Sequence, residues 1–169
     1  MKINKLVESE EHSVPIVIAD DEIILRSVDT RHFYKNKKIK PNIFKPPIGS
    51  CNVSVIRFHY VPVTECKRRG KEIASKVKDC CFKGFVALKC AMIKEANVGI
   101  KDSREIFLGH ADIIYSHPRP PEALPNCAPD DLEAVIEFNE VTKKLLNACK
   151  LFLDTAPTSE DWQGDEIAL

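Results

Sequence analysis

The stretch from about residue 130 to 153 constrains this chain more than any other. Its apolar positions are Leu132, Val135, Ile136, Phe138, Val141, Leu145, Leu146, Cys149, Phe152 and Leu153. Asp130 and Glu133 stand at capping-box spacing, and Asp130 and Asp131 suit the positive end of a helix dipole. The pattern predicts one long helix. On a helical wheel the apolar residues spread well past the ~100° stripe of an ordinary surface helix. Only a narrow polar face remains, with Glu133, Glu137, Glu140, Lys144 and Asn147. Such a helix has to be covered on more than one side, by its own domain or by another chain. The expectation is a protein partner or a second copy meeting Phe138, Val141, Leu145 and Phe152.

The remaining elements are shorter. Val14–Ala19 is apolar and β-branched and reads as a strand, while Glu22–Val28 fits a second strand or a helical turn. Thr30–Gly49 is lysine-rich and holds Pro41, Pro46 and Pro47, so it reads as a long loop, kept ordered by Phe33, Tyr34, Ile39, Ile43 and Phe44. Asn52–Tyr60 alternates as a strand. Val63, Cys66, Gly70, Ile73, Ala74 and Val77 then recur at helical spacing, predicting a helix over 63–79 with Thr64 or Pro62 at its start. Strands are expected within 84–93 and 104–115, and a proline-rich connector over 117–129. With 169 residues, one domain is the default. The expected architecture is a single α+β domain over 14–154, with a mixed or mostly antiparallel sheet of four to six short strands packed with two helices. A polar leader (1–13) and an acidic, mobile tail (155–169) flank it. No apolar run approaches the ~18–20 residues of a membrane span, and Met1–His12 lacks a signal-peptide core. A cytoplasmic protein without a membrane partner is expected.

The seven cysteines, Cys51, Cys66, Cys80, Cys81, Cys90, Cys127 and Cys149, include no C-x-x-C pair. Zinc sites usually draw on such pairs, so reduced thiols are expected, with no metal and no cofactor. The formal net charge is zero, yet residues 31–78 carry thirteen basic against two acidic side chains, and residues 129–169 three basic against ten acidic. Segregation of this kind points to an anion-binding or partner-binding surface, or to an acidic helix packed near a basic middle.

Three constellations carry possible chemistry. Arg31, Lys37, Lys38, Lys40, Arg57 and Arg68, with Phe33, Tyr34 and Phe44 between them, suit a nucleic acid or a nucleotide phosphate, through counterion displacement and base stacking. His110 and Asp112 point to one face of a strand, the pairing that orients an imidazole as a base or ligand; His117 lies just past the strand end, and a third ligand would have to come from elsewhere, from His59 or a cysteine. Cys51 before a strand, followed later by His110, has the chain order of some thiol hydrolases.

Leu25-Arg26-Ser-Val, Arg31-His-Phe33, Lys40-Pro-Asn-Ile-Phe-Lys-Pro46 and Val53-Ser-Val-Ile-Arg57 cover about a quarter of the chain. Together they resemble the opening of small uncharacterised bacterial proteins, which is similar to that of ADP-ribosyltransferase-like domains. The resemblance implies that an early arginine grips a dinucleotide, that His110 matches a later histidine, and that the setting is a defence or toxin module. The family's middle-strand serine motif and late catalytic glutamate have no counterpart here, which implies a scaffold without catalysis. The reading that results is a non-enzymatic protein-binding module or accessory subunit. A nucleic-acid or nucleotide-phosphate binder is the first alternative. The second is a dinucleotide-using or thiol-dependent enzyme built on Arg31, His110 and Asp112, or on Cys51.

Overall fold

A computed structural model describes residues 14–169; the polar leader lies outside the described residues. Six strands form one antiparallel sheet in the order β4-β5-β2-β1-β3-β6. They are β1 (Ile23–Asp29), β2 (Asn52–Arg57), β3 (Phe82–Lys89), β4 (Gly99–Asp102), β5 (His110–Ile114) and β6 (Lys150–Leu153). Among the described residues three α-helices accompany them: α1 (Val63–Ser75), α2 (Cys90–Glu95) and α3 (Leu132–Ala148). This is the α+β class expected.

The two-residue period of a strand sorts its side chains between two faces. Ile24, Val28, Val53, Val55, Val86 and Ile113 point to one face. There α3 packs with Ala134, Phe138, Val141 and Leu145, a single stripe at helical spacing. Leu25, Ile56, Phe85, Ala87 and Phe152 point to the other face, under α1 with its Cys66 and Ala74. The central strand β3 is buried on both sides, which is why it reads as a continuous apolar run.

Several expectations are corrected. The long helix ends at Ala148; Cys149 is extended, and 150–153 forms β6. The excess apolar residues therefore belong to two periods, 3.6 up to Leu146 and 2 beyond it. Phe138, Val141, Leu145 and Phe152, expected at a partner interface, are 3 %, 4 %, 0 % and 3 % exposed. The first three lie in one core and Phe152 in the other, across the sheet. The chain covers its own helix.

Val14–Ala19 is not a strand: Val14 and Ile18 are buried, Ile16 and Val17 exposed. Its carbonyls meet cations instead, Pro15 O accepting from Arg57 and Val14 O from Arg104. The 84–93 strand gives way to α2 at Cys90, and the 104–115 strand begins only at His110. α1 stops at Ser75 and starts at Pro62 without a side-chain cap, as α3 also does after a 3-10 turn at Pro129–Asp131. The 30–49 loop is ordered as expected, with 3-10 turns at Thr30–His32 and Pro41–Phe44 and with Ile43 and Phe44 in the core.

The acidic tail is docked. Trp162 lies 5.4 Å from the Phe85 ring, Ile167 is buried, and Gly164 packs against Leu153 O. The ammonium of Lys67, fully buried, reaches Asp154 at 2.7 Å, Ala156 O and Ser159 Oγ at 3.0 Å and Asp161 O at 2.5 Å. A buried cation needs such a shell, and the tail supplies it. No helix among the described residues is long and apolar enough to cross a membrane.

Candidate functional site

The site begins with a strand pair that opens. β1 and β2 are paired at Ile24–Arg57 and Leu25–Ile56 and at no further position. Each stays held on its outer edge, β1 by β3 as far as Asp29 and β2 by β5 as far as Asn52. Arg26 fills the opening with its guanidinium, donating from Nη1 to Ser54 O at 2.8 Å and from Nε to Ile43 O at 3.2 Å. Side-chain donors thus replace ladder bonds that buried backbone would otherwise lack.

α1 packs over β1 and β3. Beside it, above the opening, lies a cleft of about 320 Å³. Ser27, Ser54, Ile56 and His110 form its floor, and Arg69, Ile73 and Lys76, spaced one turn apart, line the α1 wall. Ile106 and Phe107 form the opposite lip, with the Arg69 guanidinium 3.5 Å over the Phe107 ring and 2.8 Å from Glu65. Arg26, Arg69 and Lys76 line the cleft with one carboxylate, Glu72, which stands 3.8 Å from the Lys76 ammonium. Two glycines set its walls. At Gly70 a Cβ would stand 2.5 Å from the Phe82 ring, so glycine lets α1 lie close on the sheet. Gly109, at φ +91°, makes the turn that delivers His110.

His110 is 5 % exposed, and its Nδ1 has no hydrogen-bond partner among the described residues. Burial lowers its pKa from 6.5, opposed by the charges of Asp112 and Glu105. His110 and Asp112 share a face, as expected, yet the Asp112 carboxylate is taken by serines: Ser103 Oγ donates at 2.6 Å and Ser54 Oγ at 3.3 Å. His117 is elsewhere, against Glu137 of α3 at 2.8 Å, and His59 is exposed beside Tyr60. Cys51 is not a partner for His110. Cys51 O accepts from Tyr115 N while His110 sits opposite Ile56, so five residues of strand separate them, about 17 Å. All seven cysteines are free. Burial pushes the Cys66 thiol up to about 12 and the Cys149 thiol up to about 11, far from a reactive thiolate.

The basic candidates do not converge. Arg57 is fully buried, with Glu22 at 2.8 Å, Asp102 at 2.6 Å and the Tyr60 ring 4.7 Å away. Burial opposes its charge, but the two carboxylates raise its pKa above the ordinary value. It is a core cation and is not available to a ligand. Arg31 is paired with Asp29 at 2.6 Å, and Arg68 with Glu65 at 2.7 Å and Glu72 at 3.5 Å. Lys37 and Lys38 are exposed on a turn, and Lys40 stands 5.7 Å from the Tyr34 ring. None of the six lines the cleft. The polar and basic residues that do are Arg26, Ser54, Arg69 and Lys76, which are outside those six, although Arg26 and Ser54 stand in the motifs that carry the resemblance. A further signal is Ser54 itself, a polar residue where an alternating strand needs an apolar one if its face is covered. Compared with protein-family models, with curated proteins and with solved structures, the chain matches none.

Proposed function

We propose that this chain is a non-enzymatic binding module whose ligand, a nucleotide-sized organic anion with a flat apolar part, enters the cleft beside α1. The observation that carries the reading is the opened β1–β2 pair, which places the Nδ1 of a buried His110, unpartnered among the described residues, at a cleft lined by Arg26, Arg69 and Lys76. Native interiors rarely leave a buried polar atom unpaired, and a ligand N–H or O–H is a natural partner for it. Ile73, Ile106 and Phe107 offer apolar surface to a ring, while Arg69 and Lys76 face its anionic end. The volume is at the lower end of small-molecule sites, which run from about 300 to 1,000 Å³. Binding without catalysis follows from the polar groups: the carboxylate next to His110 is held by Ser54 and Ser103, and Cys51 is a strand length away.

Titration with adenosine monophosphate, followed by backbone amide shifts, tests the proposal. Saturable shifts at Ser27, Ser54 and His110 are expected, lost in Ser54→Phe, which places a ring in the cleft from an exposed position. Shifts absent from those residues would refute the site. Turnover of the nucleotide that depends on His110 would refute the non-enzymatic part. The accessory-subunit reading keeps a smaller basis, the exposed Leu132 and Ile136 one turn apart on α3.

A further inference from the structure

A second pocket, of about 110 Å³, lies between the Pro46 loop, the 119–123 connector and α3. Lys45 and Arg119 both line it, and neither makes an ion pair among the described residues. The two fully buried cations are neutralised, Arg57 by two carboxylates and Lys67 by Asp154, whereas Lys45 and Arg119 share one pocket with no such partner among the described residues. Arg119 is held rigidly. Its N–H donates to Ser50 O, its carbonyl accepts from Gly49 N, and its Nη1 donates to Pro46 O at 2.9 Å. The Lys45 ammonium makes no hydrogen bond among the described residues. Pro120, Pro121, Val135 and Phe138 form apolar walls, and the Asn139 amide lines one side.

Two like charges against apolar walls repel each other at a cost that an anion between them relieves. Burial and the charge of Arg119 both lower the Lys45 pKa, the mark of a cation without a partner. We infer that this pocket binds a tetrahedral oxyanion, a phosphoryl dianion either free or as the end of a small ester, between Lys45, Arg119 and Asn139. The volume admits such a group and little more. The neighbouring Lys35, Lys37, Lys38 and Lys40 on the same loop add a positive field that draws anions toward it. The exposed carboxylate of Glu122 also lines the pocket and opposes binding. The site is separate from the cleft, on the α3 side of the sheet, and stands whether or not the cleft binds a nucleotide.

Titration of the full chain with inorganic phosphate and with phenyl phosphate, at constant ionic strength held with chloride, tests it. Saturable shifts at Lys45, Arg119 and Asn139 are expected. Lys45→Gln breaks no hydrogen bond and should keep the fold while weakening binding by about ten-fold or more, as loss of a charge-assisted contact does. Glu122→Gln should tighten it. Tighter binding of phenyl phosphate identifies an ester ligand lying along Pro120 and Pro121, and equal binding identifies free phosphate. Shifts that match those from chloride alone, or a Lys45→Gln affinity equal to that of the unaltered chain, overturn the inference.

Discussion

On the α3 face of the sheet, side chains from β1, β2, β3 and β5 meet one helix stripe and the Ile43–Phe44 plug, whose Phe44 carbonyl accepts from the buried Tyr115 hydroxyl at 2.5 Å. On the α1 face, the helix and the docked tail cover β1, β3 and β6, while β2 and β5 carry Ser54, Asp112 and His110 beside an open cleft. The same strands supply both faces. One face is a closed apolar core, and the other is closed over half its width by Trp162 and Lys67 and left polar over the rest. The difference shows where stability and binding are separated in this fold. The α3 face holds the strands together, so that the β1–β2 pair can open on the other side without loss of the sheet.

The comparison breaks most severely where the closed face is cut. Phe138→Ala should cost about 3–5 kcal/mol in urea unfolding, the range for a large buried aromatic; a cost under about 1 kcal/mol would mean that α3 is not a core helix. Trp162→Ala, on a half-buried ring, should cost about 2 kcal/mol and expose the 154–169 segment to proteolysis ahead of global unfolding. A tail equally protected in that variant would show that the Lys67 shell alone holds it.

The sequence made the closed face legible and left most of the open one hidden. Ala134, Phe138, Val141 and Leu145 announce a helix by periodicity, and alternation gives β2. Element ends were harder. β6 hid behind α3 because Leu151, Phe152 and Leu153 continue the apolar content while the period changes from 3.6 to 2 at Cys149. β4 has four residues, too few to show alternation. Basic residues drew attention by their number, yet what decides their role is tertiary. Arg57 and Lys67 are core cations, held by carboxylates 35 and 87 positions away in sequence, Glu22 and Asp154. The cleft rests on the absence of ladder pairing beyond Leu25, which no local pattern records.

Acidity should separate the faces further. His110 has a folded pKa below 6.5, so the unfolded chain binds more protons as pH falls through that value, and stability should decline from pH 7 toward 5. His110→Gln should flatten that decline; an unchanged slope would assign it to another group. A second loss belongs to Glu22, Asp29 and Asp102. Burial opposes their ionisation, but Arg57, His32, Arg31 and Arg104 hold their pKa values below the ordinary 4.5 and 3.8. Their contribution is present above those values and disappears as pH falls below them.

The smallest expected effect on stability is the most informative. Ile106 is 61 % exposed at the lip of the cleft. As an exposed residue away from caps and cores, Ile106→Ser should change stability by no more than about 0.5 kcal/mol. Had the lip been built to hold the fold, the isoleucine would be buried, as Val53 and Ile113 are on the other face. An apolar side chain held at the mouth of a polar cleft contributes when something apolar lies against it. Adenosine monophosphate should therefore bind several-fold more weakly to Ile106→Ser, while phosphate binding at Lys45 and Arg119 stays as it was. A variant that loses stability instead would make the lip part of the core and erase the contrast between the two faces.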